Sequence, residues 1–261
     1  MSLKESAIID QVSQSCRMLG LLDITHAALG HVSHRIEGRD AMYIKGKGPG
    51  EVGLRYTTHE DVLVVDFGAN KLEGPDYLQP PSESFLHIWM YKTRPEVQSV
   101  IHMHPKYAVL LTICRKPIIP IYNAFGSGVQ LAIDGIPTFP KSCTIASDEL
   151  GKEFAEAMGE KQVCLMKGHG MTAVGRTVVD STLNTLALVE LTEMMYQAYL
   201  LGDPTPILPE EIEAIKSARA DTRPRTRGSS GGDAGKLALW RYYSSLAEER
   251  AVKSEMQRPR R

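Results

Sequence analysis

Two periods run through the apolar positions of this chain. In "SLKESAIIDQVSQSCRMLGLL", Ile8, Val12, Cys16 and Leu19 recur every three or four residues, the spacing of one helical face. Ser2 and Glu5 give that run a capping-box start, and Gly20 gives it an end. "GHVSHRIEG" and "AMYIKGKG" are short and punctuated by glycine, which predicts strands. "DVLVVDF" is a compact apolar run and reads as a buried strand, with "VQSVIHMH" and "QVCLMKGHG" as further strands. Helices are expected in "PPSESFLHIWMYKT" with a cap at Ser82, in "KYAVLLTIC", and in "SDELGKEFAEAM" behind Ser147 or Asp148. Thr177 and Asp180 open a long helix that Gly202 stops, and "PIIPIYN" is extended.

Helices and short strands mix here without a strict βαβ rhythm. That argues for an α+β or layered α/β/α sheet, against a Rossmann domain or a barrel. The pattern changes after Pro209. "RADTRPRTRGSSGGDAGK" is basic and Gly/Ser-rich, the composition of a mobile loop. "LALWRYYSSLAEER" is helical again and "QRPRR" is a fraying tail. The expected organisation is a unit over 1–208 and a C-terminal extension over 209–261.

Composition narrows the class. The 261 residues are 43% apolar with a formal net charge of −1. That is ample for a core and exerts no general pull toward nucleic acid or anionic membrane. The basic stretch near 220 has no aromatic platform or known module around it, so a solvated loop is the better reading than RNA binding. Cys16, Cys114, Cys143 and Cys164 form no C-x-x-C pair and read as small buried hydrophobes of a reducing compartment. The start "MSLKESAIID" has no apolar h-region, and no apolar run approaches the roughly 20 residues of a membrane span. A cytoplasmic location is expected, without nucleic-acid or membrane partners.

The chemistry gathers at "SVIHMHPKYA". In a strand, residues i and i+2 point to one face, so His102 and His104 can converge. Neutral imidazoles bind Zn, Mn, Fe or Co, and a catalytic ion wants a third protein ligand with positions left for substrate. His169 in "KGHGM" is the candidate, with a glycine on each side to permit a tight turn and close approach of backbone. H-x-H spacing alone leaves two surface histidines as an equal alternative. Glu83 in "PPSESF" adds a carboxylate at a loop-to-helix junction. It fits a ligand or an acid/base group, or simply a residue that balances the helix dipole.

Together, "GHVSHR", "PSE", "RPEVQSVIHMHP" and "LMKGHGMTAVG", in this order and spacing, resemble the class II aldolase/adducin family over roughly the first 200 residues. The resemblance implies a three-layer α/β/α fold around a mainly antiparallel sheet, a homotetramer with active sites at subunit interfaces, and a small-molecule substrate. It puts His102, His104 and His169 on the family's metal histidines and Glu83 on its proton-moving glutamate. Adducin-like members, which are interaction modules, lack that metal set. Sugar-phosphate aldolases and epimerases generally read "GNVS" and often carry paired serines before the glutamate; here His31 replaces the asparagine and Pro81 precedes Ser82. The aldolase tyrosine falls on Asn123, beside Tyr122. "GHVS" and "WRYY" look more like the branch of hydroxy-aromatic acid decarboxylases. In that reading Glu83 or His31 handles a proton, and His31 could equally hold a carboxylate or be a turn residue. Ser33, Lys45, Ser82, Tyr122 and Asn123 are candidates for substrate contact, with Arg35 and Phe125 as further ones. For Lys45 and Arg35 the alternative is solvated surface charge. The segment 237–250 is expected to help close a site.

Overall fold

The computed structural model describes residues 3–122, 126–220 and 233–256. Strands β1 (His31–Arg35), β2 (Ala41–Lys45), β3 (Val62–Asp66), β4 (Lys71–Glu73), β5 (Ser99–Met103), β6 (Thr138–Phe139), β7 (Val163–Met166) and β8 (Gly170–Gly175) form one sheet. Its order is β4-β3-β2-β1-β5-β8-β7-β6, antiparallel throughout except for the parallel β6–β7 pair. The helices are α1 (Leu3–Leu21), α2 (Ser84–Thr93), α3 (Lys106–Ile113), α4 (Gly128–Asp134), α5 (Asp148–Met158), α6 (Val178–Leu201), α7 (Pro209–Ala220) and α8 (Asp233–Met256).

Strand alternation sorts the core into two layers. Val32, Tyr43, Ile101, Met103 and Ala173 point one way and meet Val12, Cys16 and Leu19 of α1 and Leu188 of α6. Met42, Ile44, Leu63, Val100 and Val174 point the other way and meet Leu86, Ile88 and Met90 of α2 and Phe154 and Met158 of α5. This is the expected α/β/α arrangement. The helix face anticipated in α1 is the buried one: Val12, Cys16 and Leu19 are fully enclosed. The Oγ atoms of Ser147 and Thr177 accept backbone N–H bonds from Leu150 and Asp180, so both caps stand where the sequence put them. Among the described residues no helix is long and apolar enough to cross a membrane.

Some elements depart from expectation. Ser82 does not cap α2. A turn closes first, with the Ser84 N–H and Oγ both donating to the Pro81 carbonyl at 3.0 and 2.7 Å, and Glu83 becomes the residue before the helix. The described part of "PIIPIYN", residues 117–122, joins no strand. Ile118, Ile119, Ile121 and Tyr122 pack instead against Leu191 and Met195 of α6. β4 and β6 are only three and two residues long, too short to leave a period in the sequence. The helix expected in the extension is α8. Trp240 and Tyr243 lay it on the core layer of α1, the sheet face away from α2. Within the chain it packs against that core and does not close over Glu83. The basic loop and the tail lie outside the described residues.

Candidate active site

Three strand ends and one helix start converge on a point. His102 is the penultimate residue of β5, paired across to His31 of β1 on one side and Thr172 of β8 on the other. His104 follows one residue after the strand. His169 sits in the turn between β7 and β8. Gly168 there has φ of +61°, which a side chain rarely adopts. At Gly170 a Cβ would meet the Met103 carbonyl at 2.3 Å and the His104 ring at 2.9 Å. Both glycines of the "GHG" turn are therefore needed to bring His169 beside His104.

The three rings stand mutually edge-on, with centroids 4.8 Å (His102–His104), 5.1 Å (His102–His169) and 4.7 Å (His104–His169) apart. Nε2 of His102 and Nε2 of His104 approach to 2.8 Å. Glu83 completes the group, its Oε2 lying 3.1 Å from His102 Nε2 and 3.6 Å from His169 Nε2. Its Oε1 accepts the Ile145 N–H at 3.0 Å. The donor atoms of the four residues all lie within 4.8 Å of one another.

This donor set fits a divalent ion. Nitrogens sharing one ion at about 2.1 Å must crowd in this way. His169 Nδ1 is 3.0 Å from the Cys143 carbonyl, which can only accept, so the proton sits on Nδ1 and Nε2 faces the cluster as a lone pair. Burial, then the charge of His102 and His169, presses His104 down to about 3, and burial foremost lowers His169. Neutral imidazole is the metal-binding form. At Glu83 burial pushes the carboxyl up, but the hydrogen bond and charge of His102, the Ile145 N–H and the charge of His169 outweigh it and hold the group at about 2.

His31 stands behind His102, ring centroids 5.2 Å apart, and is 3% exposed. Burial, then the charge of His87 and His102, holds it well below the usual histidine range. Its Nδ1 lies 2.7 Å from Nε2 of His87, a residue the sequence reading did not select. The signal was present: His87 is four residues after Glu83, on the same helical face. Lys47 was missed as well. It acts electrostatically on Glu83, His31 and His104 and donates to the Ala28 carbonyl.

The remaining expectations fare unevenly. Ser33 is fully enclosed, its hydroxyl taken by His87 and Tyr91, so it supports His31 and offers no surface to a substrate. Lys45, expected at the substrate with solvated surface charge as the alternative, is 2% exposed and paired with Glu51; burial lowers it to about 8. Ser82 is exposed. The Tyr122 hydroxyl lies beside Gly128 and α6, and burial, with the Glu190 charge, raises it to about 12. Arg35 is at the far end of β1, about 13 Å along the strand from His31. There its guanidinium covers the rings of Tyr91 and Phe67 in a cavity of about 530 Å³ that holds none of the histidines. Asn123 and Phe125 lie outside the described residues.

Residues 10–196 match the Class II Aldolase and Adducin N-terminal domain, and the chain belongs to this family. It is 34% identical over 206 residues to a 3,4-dihydroxyphthalate decarboxylase of Terrabacter sp. (strain DBF63), covering 77% of this chain and 84% of that one. A protein of the same description from Arthrobacter keyseri is 30% identical over 207 residues, 77% and 82% of the two chains. The fold is also that of the L-fuculose 1-phosphate aldolase from Glaciozyma antarctica PI12, with a TM-score of 0.76, 16% identity and coverage of 98% and 93%.

Proposed function

We propose that the protein is a divalent-metal-dependent carbon–carbon lyase that decarboxylates a hydroxy-aromatic acid such as a dihydroxyphthalate. The observation that carries the reading is the cluster of three imidazoles and Glu83, with the buried His31 at its back. The likeness to dihydroxyphthalate decarboxylases over most of the chain supports it. His102, His104 and His169 would hold the ion (Zn, Mn, Co or Fe). Such an ion supplies a Lewis acid that stabilises negative charge on the substrate's oxygens.

The chain's own residues handle the proton. Glu83 takes the proton of the substrate hydroxyl and returns it to the ring carbon that bears the carboxylate. The carbon–carbon bond then breaks, its electron pair passing through the ring to the oxygen, and carbon dioxide leaves. A proton from solvent restores the hydroxyl. His31 contacts the substrate from the β1 side. Residues 1–208 carry this chemistry and 209–261 are an extension. The assembly is a homotetramer with sites at subunit interfaces, acting in the cytoplasm; light scattering tests the tetramer.

Zinc- or manganese-loaded protein offered dihydroxyphthalates, hydroxypyridine dicarboxylates and fuculose 1-phosphate tests the reaction. Carbon dioxide from an aromatic diacid is the expected result. Cleavage of the sugar phosphate with no carbon dioxide from any diacid would make the protein an aldolase.

A further inference from the structure

A ladder of polar side chains is sealed between α2 and β1. Glu83 stands just before α2, and His87 and Tyr91 follow on the helix four residues apart, a rise of about 6 Å. His31, Ser33 and Arg35 follow at two-residue steps on one face of β1, about 6.6 Å each. The two spacings match, so His87 meets His31 and Ser33, and Tyr91 meets Ser33. His31, Ser33, His87 and Tyr91 are at most 3% exposed. Three short contacts join them: Tyr91 Oη to Ser33 Oγ at 2.6 Å, Ser33 Oγ to His87 Nδ1 at 2.7 Å, and His87 Nε2 to His31 Nδ1 at 2.7 Å.

The ladder has a direction. Among the described residues Ser33 is the one hydrogen-bond acceptor met by the Tyr91 hydroxyl, so Tyr91 donates to it. Ser33 then has one proton to give. His87 Nδ1 stands at 2.7 Å, whereas the alternative acceptor, the Val100 carbonyl, is at 3.4 Å. The short contact takes the proton. A neutral His87 that accepts at Nδ1 carries its proton on Nε2 and gives it to His31 Nδ1. A neutral His31 that accepts at Nδ1 must carry its own proton on Nε2, which meets no protein partner among the described residues.

We propose that Tyr91, Ser33 and His87 are positioning residues that lock His31 in the Nε2–H form, so that it offers a hydrogen-bond donor to a carboxylate or phenolate oxygen of the substrate and does not act as a base. The substrate part of this rests on the decarboxylase reading above; the tautomer does not. The alternative tautomer would turn a lone pair toward an anion. A donor replaced by an acceptor at an anionic oxygen costs about tenfold to a hundredfold in binding or rate.

The test is nitrogen-15 NMR of histidine-labelled, zinc-loaded protein, with His31 assigned by its loss in His31→Asn. Wild type is expected to show a protonated Nε2 and an unprotonated Nδ1 at His31. Tyr91→Phe and Ser33→Ala are expected to mix the two forms while zinc stays at one per chain. For kinetics, His87→Leu should lower kcat/KM on the aromatic diacid about tenfold or more, and His87→Gln should recover most of it, because the amide N–H can reach His31 Nδ1. A protonated Nδ1 in wild type, or equal kinetics for Leu and Gln at position 87, would overturn the proposal. The NMR arm needs no substrate. It decides the tautomer even if no aromatic acid is turned over, and that separate result would refute the decarboxylase reading alone.

Discussion

His31 and Val32 are neighbours in β1, yet they serve opposite ends. Val32 turns to the α1 and α6 side, where the buried layer is mostly apolar and its buried hydroxyls pair with one another, Ser15 with Thr182 and Ser99 with Ser181. His31 turns to the α2 side, where the same sheet buries Ser33, Glu83, His87 and His102. Apolar contact stabilises wherever area is lost from water. A buried polar group costs free energy unless every donor finds an acceptor. The α1 face is therefore built mainly for stability, while the α2 face gathers the imidazoles and Glu83 that bear on the proposed chemistry. The proposed chemistry lies on the α2 face, where a buried group that loses its partner is costly.

The severest break is at the ligands. The His102→Ala/His104→Ala double variant should lose most of its metal by elemental analysis and nearly all turnover, because two of three imidazole donors are gone. Full metal content would reject the site. Next, Glu83→Gln should keep its metal and fold while kcat falls about 10²- to 10⁴-fold, since an amide keeps the shape and cannot exchange the proton. A near-normal kcat would leave Glu83 a structural role. On the other face, Leu19→Ala should do the reverse. Leu19 is fully buried in the α1 layer, so its truncation should cost about 2–5 kcal/mol in denaturant unfolding with kcat per folded molecule unchanged. A catalytic defect there would mean that the two faces are coupled.

The two faces also differ in how far they can be read from sequence. The α1 layer announces itself through a period, since Ile8, Val12, Cys16 and Leu19 repeat at the step of a helix. The metal group is legible for a related reason: H-x-H states its geometry within three residues, and the "GHG" turn carries its own conformational signature. The relay behind it is not local. Ser33 meets His87 across 54 positions, and nothing in either segment says which strand face α2 will cover. Ser33 was accordingly expected at the substrate, when it is one layer further in. Lys45 misleads in the same way: a lysine among glycines looks solvated until Glu51, six residues on, folds back to pair with it. The Ser82 cap fails because the turn from Pro81 to Ser84 claims the first bonds of α2.

The smallest expected effect concerns α8. Trp240 is half-buried and packs with Tyr243 against the α1 layer, far from the polar seam. If that face serves stability alone, Trp240→Ala removes part of one aromatic contact, about 1–2 kcal/mol. For a chain of this size that is a fall in Tm of about 4 °C by calorimetry. Metal content and kcat should not move, because α8 packs chiefly on α1 and α6. The opposite pattern, an unchanged Tm with a lower kcat, would place the aromatic cluster of the extension at a reaction site, which a single chain does not do. It would then have to reach the site of a neighbouring subunit, and mixing Trp240→Ala with His102→Ala protein would restore turnover in hybrid oligomers.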